Sequence, residues 1–93
     1  MNEHVNISTQ TLHFPLQWHG SLILESIPEE AARAAIEQTL HGCGQHVFSV
    51  TPGNASAQGR FRTWKISTVF ADITAFRLTT KALGSLPGTR MLI

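Results

Sequence analysis

Three groups capable of metal or covalent chemistry fall within six residues, His41-Gly42-Cys43-Gly44-Gln45-His46. Imidazole nitrogen and thiolate sulfur are ordinary zinc ligands. A closed zinc site takes four ligands, and this segment offers three, with His13 and His19 as distant candidates. The competing reading is a helix end: His41 suits the negative end of the helix dipole, and the glycines accept the left-handed cap. That reading is preferred, so no metal ligand and no cofactor is assigned. Cys43 is the single cysteine, which excludes an internal disulfide framework. It lacks an identifiable base and orienting group, so it reads as a small core residue rather than a nucleophile.

The second cluster is Arg60-Phe61-Arg62-Thr63-Trp64-Lys65. Cations interleaved with rings on a strand are what single-stranded RNA requires, rings to stack on bases and charges to meet phosphates. Both rings must then share the open face of a sheet. Strand alternation groups Trp64 with Ile66 and Phe70 and turns Phe61 the other way, with Thr63 where a second ring is wanted. RNA binding through Arg60, Arg62, Lys65 and Phe61 is therefore the alternative function, not the first. Catalytic patterns are missing. No Walker loop, dinucleotide fingerprint or carboxylate pair beside a His occurs. Ser26-Ile27-Pro28, between the first strand and the first helix, is too short for a glycine-rich anion loop and has no arginine. Neither acyl-phosphate hydrolysis nor an amino-acid site is expected there, and the chain reads as not an enzyme.

The elements that position these residues follow from periodicity. Residues 1–12 are polar without a period and read as a flexible tail; residues 13–93 form a single domain. Gln17 to Ser26 suits a strand, with Leu22 and Leu24 on one face and Ser21, Ile23 and Glu25 on the other. Ser26 and Glu29 have capping-box spacing, and Pro28 falls in the first turn of a helix. Ala31, Ala32, Ala35, Ile36 and Leu40 give that helix its apolar stripe, and Gly42 and Gly44 end it. Val47 to Thr51 is a short strand, and Pro52 to Gly59 reads as a loop. Arg60 to Ala71 alternates as a strand with one wet side. Asp72 caps a second helix carrying Ile73, Phe76, Thr80 and Leu83, which Gly84 closes; Pro87-Gly88 turns the chain into a last strand, Thr89 to Ile93.

The order β-α-β-β-α-β with right-handed crossovers gives a ferredoxin-like two-layer α+β sandwich. Its antiparallel sheet has strand order 4-1-3-2, strands one and three at the centre. Placing Glu25 opposite Lys65 brings Leu24 to Ile66 and Leu22 to Thr68, so that both apolar faces coincide. The open face then shows Ser21, Ile23, Glu25, Thr63, Lys65, Ser67 and Val69, a surface on which a second copy or a partner protein can pair.

Composition bounds the function. The chain has 93 residues, 42% hydrophobic and 14% charged, against roughly 25% charged in an average soluble domain. One modest core is what this length allows, burying ~60–65% of the unfolded surface. Net charge is +1, too small for a strong bulk field toward nucleic acid or membrane. The charges are unevenly placed. Residues 1–46 hold five carboxylates against Arg33, a balance of −4, and residues 47–93 hold six cations against Asp72, a balance of +5. The preferred reading is attraction between neighbouring elements of one domain. No run of ~18 apolar residues and no basic, apolar leader occurs, so a soluble cytoplasmic domain with no membrane partner is expected.

Phe14-Pro15 before a strand, Pro28 at a helix start, Gly59-Arg60-Phe61 opening strand three and the terminal Arg90-Met91-Leu92-Ile93 together resemble the YbeD-like family of small bacterial proteins. The similarity covers residues 13–93 and lies in the order and spacing of these features. It implies a ferredoxin-like fold close to the regulatory ACT domains. It implies no catalytic or binding residues, and only an indirect link to lipoate metabolism. Three departures are the absence of tyrosine, the bulky Trp64 where the family has smaller apolar residues, and a second helix, Thr74 to Thr80, that is less charged than is usual there. The reading carried forward is a small non-catalytic regulatory or adaptor domain. It acts by protein contact or by binding a small metabolite, through a surface containing Ile23, Glu25, Arg60, Arg62 and Lys65, with homodimerisation through the open face as one option.

Overall fold

The computed structural model describes residues 12–93. The tail expected over residues 1–12 lies, except for Leu12, outside the described residues. The elements run β1 (Leu16–Glu25), α1 (Glu29–Gly42), β2 (Phe48–Ala55), β3 (Phe61–Phe70), α2 (Ile73–Gly84) and β4 (Thr89–Leu92). The four strands form one antiparallel sheet in the order β2-β3-β1-β4, and both helices cover one face of it. This is the expected ferredoxin-like α+β sandwich.

The centre of the sheet is the β1–β3 pair, and its register differs from the expected one. Glu25 lies opposite Phe61, Leu24 opposite Arg62, Leu22 opposite Trp64 and Ser21 opposite Lys65. The offset from the expected pairing is four residues, an even number, so every side chain keeps its face. The reason is the length of the ladder. The observed register pairs all ten residues of each strand. The expected one sets Leu16 to His19 against Ala71 to Thr74, which include the cap and first residues of α2.

One face of this pair is dry. Leu22, Leu24, Trp64 and Ile66, with Val50 from β2, pack against Ala32, Ile36 and Leu40 of α1 and Leu83 of α2. Trp64 is 1% exposed and anchors the cluster. Arg33 of α1 lies over its indole, Cζ to ring centroid 5.5 Å, and donates to the Val50 carbonyl. The helix is thereby tied both to the sheet's largest ring and to its edge strand. At the other end of the sheet Trp18, Phe70 and Phe76 form a chain of rings, each centroid 5.5 Å from the next. Gly20 gives the Trp18 indole its place, because a Cβ there would meet the ring at 2.3 Å. Gln45 donates to Thr68 Oγ1 at 2.7 Å and to the Val69 carbonyl at 2.9 Å. Thr68 Oγ1 donates in turn to the Val47 carbonyl at 2.9 Å, which fastens the α1–β2 turn to β3.

Local expectations differ in three places. The capping box does not form: α1 begins after Pro28 with no side-chain cap. Ser26 lies just past the end of β1, two residues before the cap position, its N–H donating to the Arg60 carbonyl at 2.8 Å. Strand β2 runs through Pro52 to Ala55, where a loop was expected. Proline is tolerated because β2 is an edge strand, and a register shift between Pro52 and Ala55 absorbs an extra residue. On α2 the buried positions are Thr79 and Leu83, with Ile73, Phe76 and Thr80 half-buried beside them. Asp72 does cap α2, accepting from the Ala75 N–H at 2.8 Å.

Two stability predictions follow from this core. Trp64→Ala removes the largest fully buried side chain and should lose ~3–5 kcal/mol in urea unfolding; a near-wild-type midpoint would contradict its role as anchor. Thr79 Oγ1 is buried without a hydrogen-bond partner. Thr79→Val keeps the shape and removes an unsatisfied hydroxyl, so it should leave stability unchanged or raise it by about 1 kcal/mol. A loss above ~1 kcal/mol would show that the hydroxyl has a partner after all.

Candidate functional site

The open face changes character along its length. Toward the end of β1 that starts the sheet, hydroxyls surround one ammonium. Lys65 Nζ donates to Ser21 Oγ at 3.1 Å, and the Ser49 and Ser67 hydroxyls are 2.7 Å apart. With His19 and Thr51 they border a shallow hollow of about 220 Å³. At the opposite end, where β1 leads into α1, the face carries Phe61, Ile23 and Met91 with arginines around them.

Two backbone devices build that end. The β2–β3 hairpin closes on hydrogen bonds from Ser56 N to Phe61 O at 2.8 Å and from Gly59 N to Ser56 O at 2.9 Å. Gly59 sits at φ +74°, a conformation a side chain disfavours, and this turn delivers Arg60 and Phe61 at the rim. The second device is a bulge in β4. Leu24 pairs with Thr89 but Ile23 pairs with Met91, so Arg90 is the extra residue with no partner in β1. Thr89 keeps the helix side, Oγ1 donating to the Leu83 carbonyl at 3.4 Å, and Leu92 packs against the core. The inserted residue lets Leu92 enter the core while Arg90 and Met91 stay outside.

Arg60 and Arg90 both reach the Phe61 ring, Cζ to centroid 5.7 Å and 5.1 Å. A guanidinium held on a ring keeps its N–H edge free for an anion. Two adjoining recesses meet here. One, of about 280 Å³, is bordered by Ile23, Ala55, Phe61, Thr63 and Arg90 among others. Its neighbour, of about 450 Å³, is bordered by Ser56, Gln58, Arg60, Phe61 and Arg90. The first is mostly apolar and the second mixed, with two arginines on its border; Ser56, Phe61 and Arg90 are common to both.

The charges at this site have no ion-pair partner among the described residues. Among the described residues the one ion pair is Arg33 with Glu29, 3.6 Å apart within α1. No close ion pair among the described residues therefore joins the acidic and basic halves of the chain. Arg60, Arg90 and Lys65 have no described carboxylate within ion-pair distance, although Glu25 sits opposite Phe61.

Of the surface residues drawn from the sequence, Ile23, Glu25 and Lys65 lie on the open face and Arg60 on its rim. Arg62 is separated from them. Its position has the parity of Trp64 and Leu24, so it belongs to the helix side at the strand's end. Arg90 was missed because simple alternation cannot show a bulge. In the His41–His46 segment the two imidazoles converge, Nδ1 to Nδ1 2.9 Å, with the His41 ring edge-on to Phe48. Cys43 ends the helix, its N–H donating to Thr39 and Leu40 carbonyls at 3.1 Å. No group of three or more His, Cys, Asp or Glu side chains placed to hold a metal forms among the described residues. No helix among them is long and apolar enough to cross a membrane.

The fold defines a small ferredoxin-like α+β protein. Solved structures that share it include two of HP0495 from Helicobacter pylori, both in solution. The first aligns with TM-score 0.74 at 13% identity over 89% of this chain and 86% of that one. The second, described as a hypothetical protein, aligns with TM-score 0.61 at 14% identity over 89% and 91%. At such identity the likeness is one of fold alone. No family model and no curated protein matches the chain.

Because Arg60 and Arg90 are exposed, have no ion-pair partner among the described residues and lie over the Phe61 ring, they should contribute little to folding. Arg60→Ala and Arg90→Ala should each stay within about 0.5 kcal/mol of the parent in urea titration. A loss of ~2 kcal/mol for either, well outside the usual surface range, would make the arginine structural and remove it from the site.

Proposed function

We propose that this protein is a non-catalytic regulatory or adaptor domain that holds an anionic ligand on the open face of its sheet. The observation that carries the reading is the pair of guanidiniums, both within 6 Å of one phenyl ring and neither matched by a described carboxylate. Charged groups arranged without internal partners do little for folding, so their placement is better explained by something that binds. The adjoining recesses support a ligand with an apolar body and an anionic head. The order of Phe14-Pro15, Pro28, Gly59-Arg60-Phe61 and Arg90-Met91-Leu92-Ile93 supports placing the chain as a divergent member of the YbeD-like family. A small binding domain in the cytoplasm accords with that placement.

The test is thermal unfolding in the presence of inorganic diphosphate, citrate or a nucleoside diphosphate. A ligand at 100 times its Kd adds about 2.7 kcal/mol, which raises the Tm of a domain this size by roughly 11–22 °C. The rise should shrink as salt increases and should be lost in the Arg60→Ala/Arg90→Ala double variant. Equal Tm values with all three anions and without them, or an undiminished response in the double variant, would defeat the proposal.

A further inference from the structure

Resting on that reading, we infer that the anionic ligand is a nucleotide, presented as a unit of single-stranded RNA lying along β3 across the open face. Of the two rings in the Arg60–Lys65 cluster only Phe61 reaches the open face, Trp64 being buried, so this end offers a stack for one base, with the arginines beside it for one phosphate. A base fits the apolar recess against Phe61, bordered by Ile23 and Ala55, and its phosphate falls in the cationic recess between Arg60 and Arg90. Arg90 borders both recesses, so a ligand occupying the two touches it with its ring and with its anion. Guanidinium N–H groups match phosphate oxygens in pairs, and the guanidinium plane also stacks on bases.

The rest of the face argues for a chain of nucleotides over a free one. Lys65 lies four residues along β3 from Phe61 on the same side, ~14 Å away at the rise of an antiparallel strand. That distance suits a short run of nucleotides and exceeds the reach of one. Around Lys65 stand the hydroxyls of Ser21, Ser49, Thr51 and Ser67, donors and acceptors for ribose 2′-hydroxyls and phosphate oxygens. The cations on this face, Arg60, Arg90 and Lys65, outnumber its one carboxylate, Glu25, while Glu29, Glu30 and Glu37 are carried on α1. The chain's near-neutral total thus conceals a positive face.

The shared chemistry of a free nucleotide and an RNA strand is a phosphate joined to a base, and binding measurements separate the two. Fluorescence anisotropy at 50 mM salt would compare a labelled RNA hexamer with competing ADP, inorganic diphosphate and a poly-glutamate peptide. The hexamer should bind at least tenfold tighter than ADP. ADP should outcompete diphosphate by roughly 5- to 150-fold, the worth of stacking one base. Phosphate contacts by three cations give a slope of log K against log salt of about −2. Arg90→Ala should make that slope shallower by ~0.7. Phe61→Leu should weaken binding roughly tenfold, within the range of one lost base stack, and leave the slope alone. Lys65→Ala should weaken the hexamer and leave ADP unchanged, and circular dichroism should show every variant folded. Diphosphate competing as well as ADP would overturn the inference while leaving anion binding in place. So would ADP binding as tightly as the hexamer, poly-glutamate binding as tightly as RNA, or no retention of the hexamer at all.

Discussion

The pairing of β1 with β3 is the constraint from which the other features follow. Side chains on paired strands alternate between two faces, and a ten-residue ladder fixes that alternation for both strands at once. Burying Leu22 and Leu24 therefore also buries Trp64 and Ile66 and turns Ser21, Ile23, Thr63 and Lys65 to the open face, where Lys65 is exposed and the others half-buried. A slip by one residue would put the indole in water and the lysine in the core, an exchange of several kcal/mol at ~25 cal/mol per Å². A slip by two or four leaves the faces intact. It is resisted instead by ladder hydrogen bonds and by where the flanking helices begin.

Against this fixed frame, the edge strands are irregular, and the irregularities fall where the candidate site is. Both β2 and β4 shift register near the end of the sheet that carries Phe61. In β2 the shift follows Pro52, which an edge strand tolerates because one row of its N–H groups has no ladder partner. In β4 the shift spares Leu92 for the core and frees Arg90. An inserted residue at a sheet edge bends the strand and re-aims a side chain. Here it brings a second guanidinium to a ring that already holds one. The local geometry is therefore better described as a placed pair of cations than as a scatter of surface arginines.

The distribution of charge separates stability from binding. α1 keeps its charges in its own turns: Glu29 and Glu30 stand in the first turn, where the helix dipole favours them, and Arg33 pairs back to Glu29. Arg33 also caps Trp64 and holds Val50, so its role is structural. Arg60, Arg90 and Lys65 have no such duties. Arg60 and Arg90 lie over a phenyl ring and Lys65 donates to the Ser21 hydroxyl, groups that orient a cation without neutralising it. The His41–His46 pair, the most reactive-looking part of the chain, closes on itself through one imidazole hydrogen bond at a helix end.

Periodicity along the chain was enough to settle the element order, the two-layer architecture, the burial of Trp64, Ile66 and Phe70 and the outward turn of Phe61 and Lys65. All of these depend on which face a residue occupies, and face is a local property of a strand or helix. Asp72 as a cap was legible for the same reason. Ser26 failed as a cap because the helix begins later than the capping-box spacing implies: Pro28 holds the cap position, and Ser26 stands two residues before it. The four-residue offset of β1 against β3, the extension of β2 through Pro52 and the bulge at Arg90 were likewise illegible. Each is decided by competition between whole strands for hydrogen-bond partners, and that competition exists only once the strands lie side by side. The same holds for the site. Arg60 and Phe61 could be noticed as neighbours in the chain, but only folding brings Arg90 across from β4 to the same ring and leaves Arg62, one residue beyond Phe61, on the other side of the sheet.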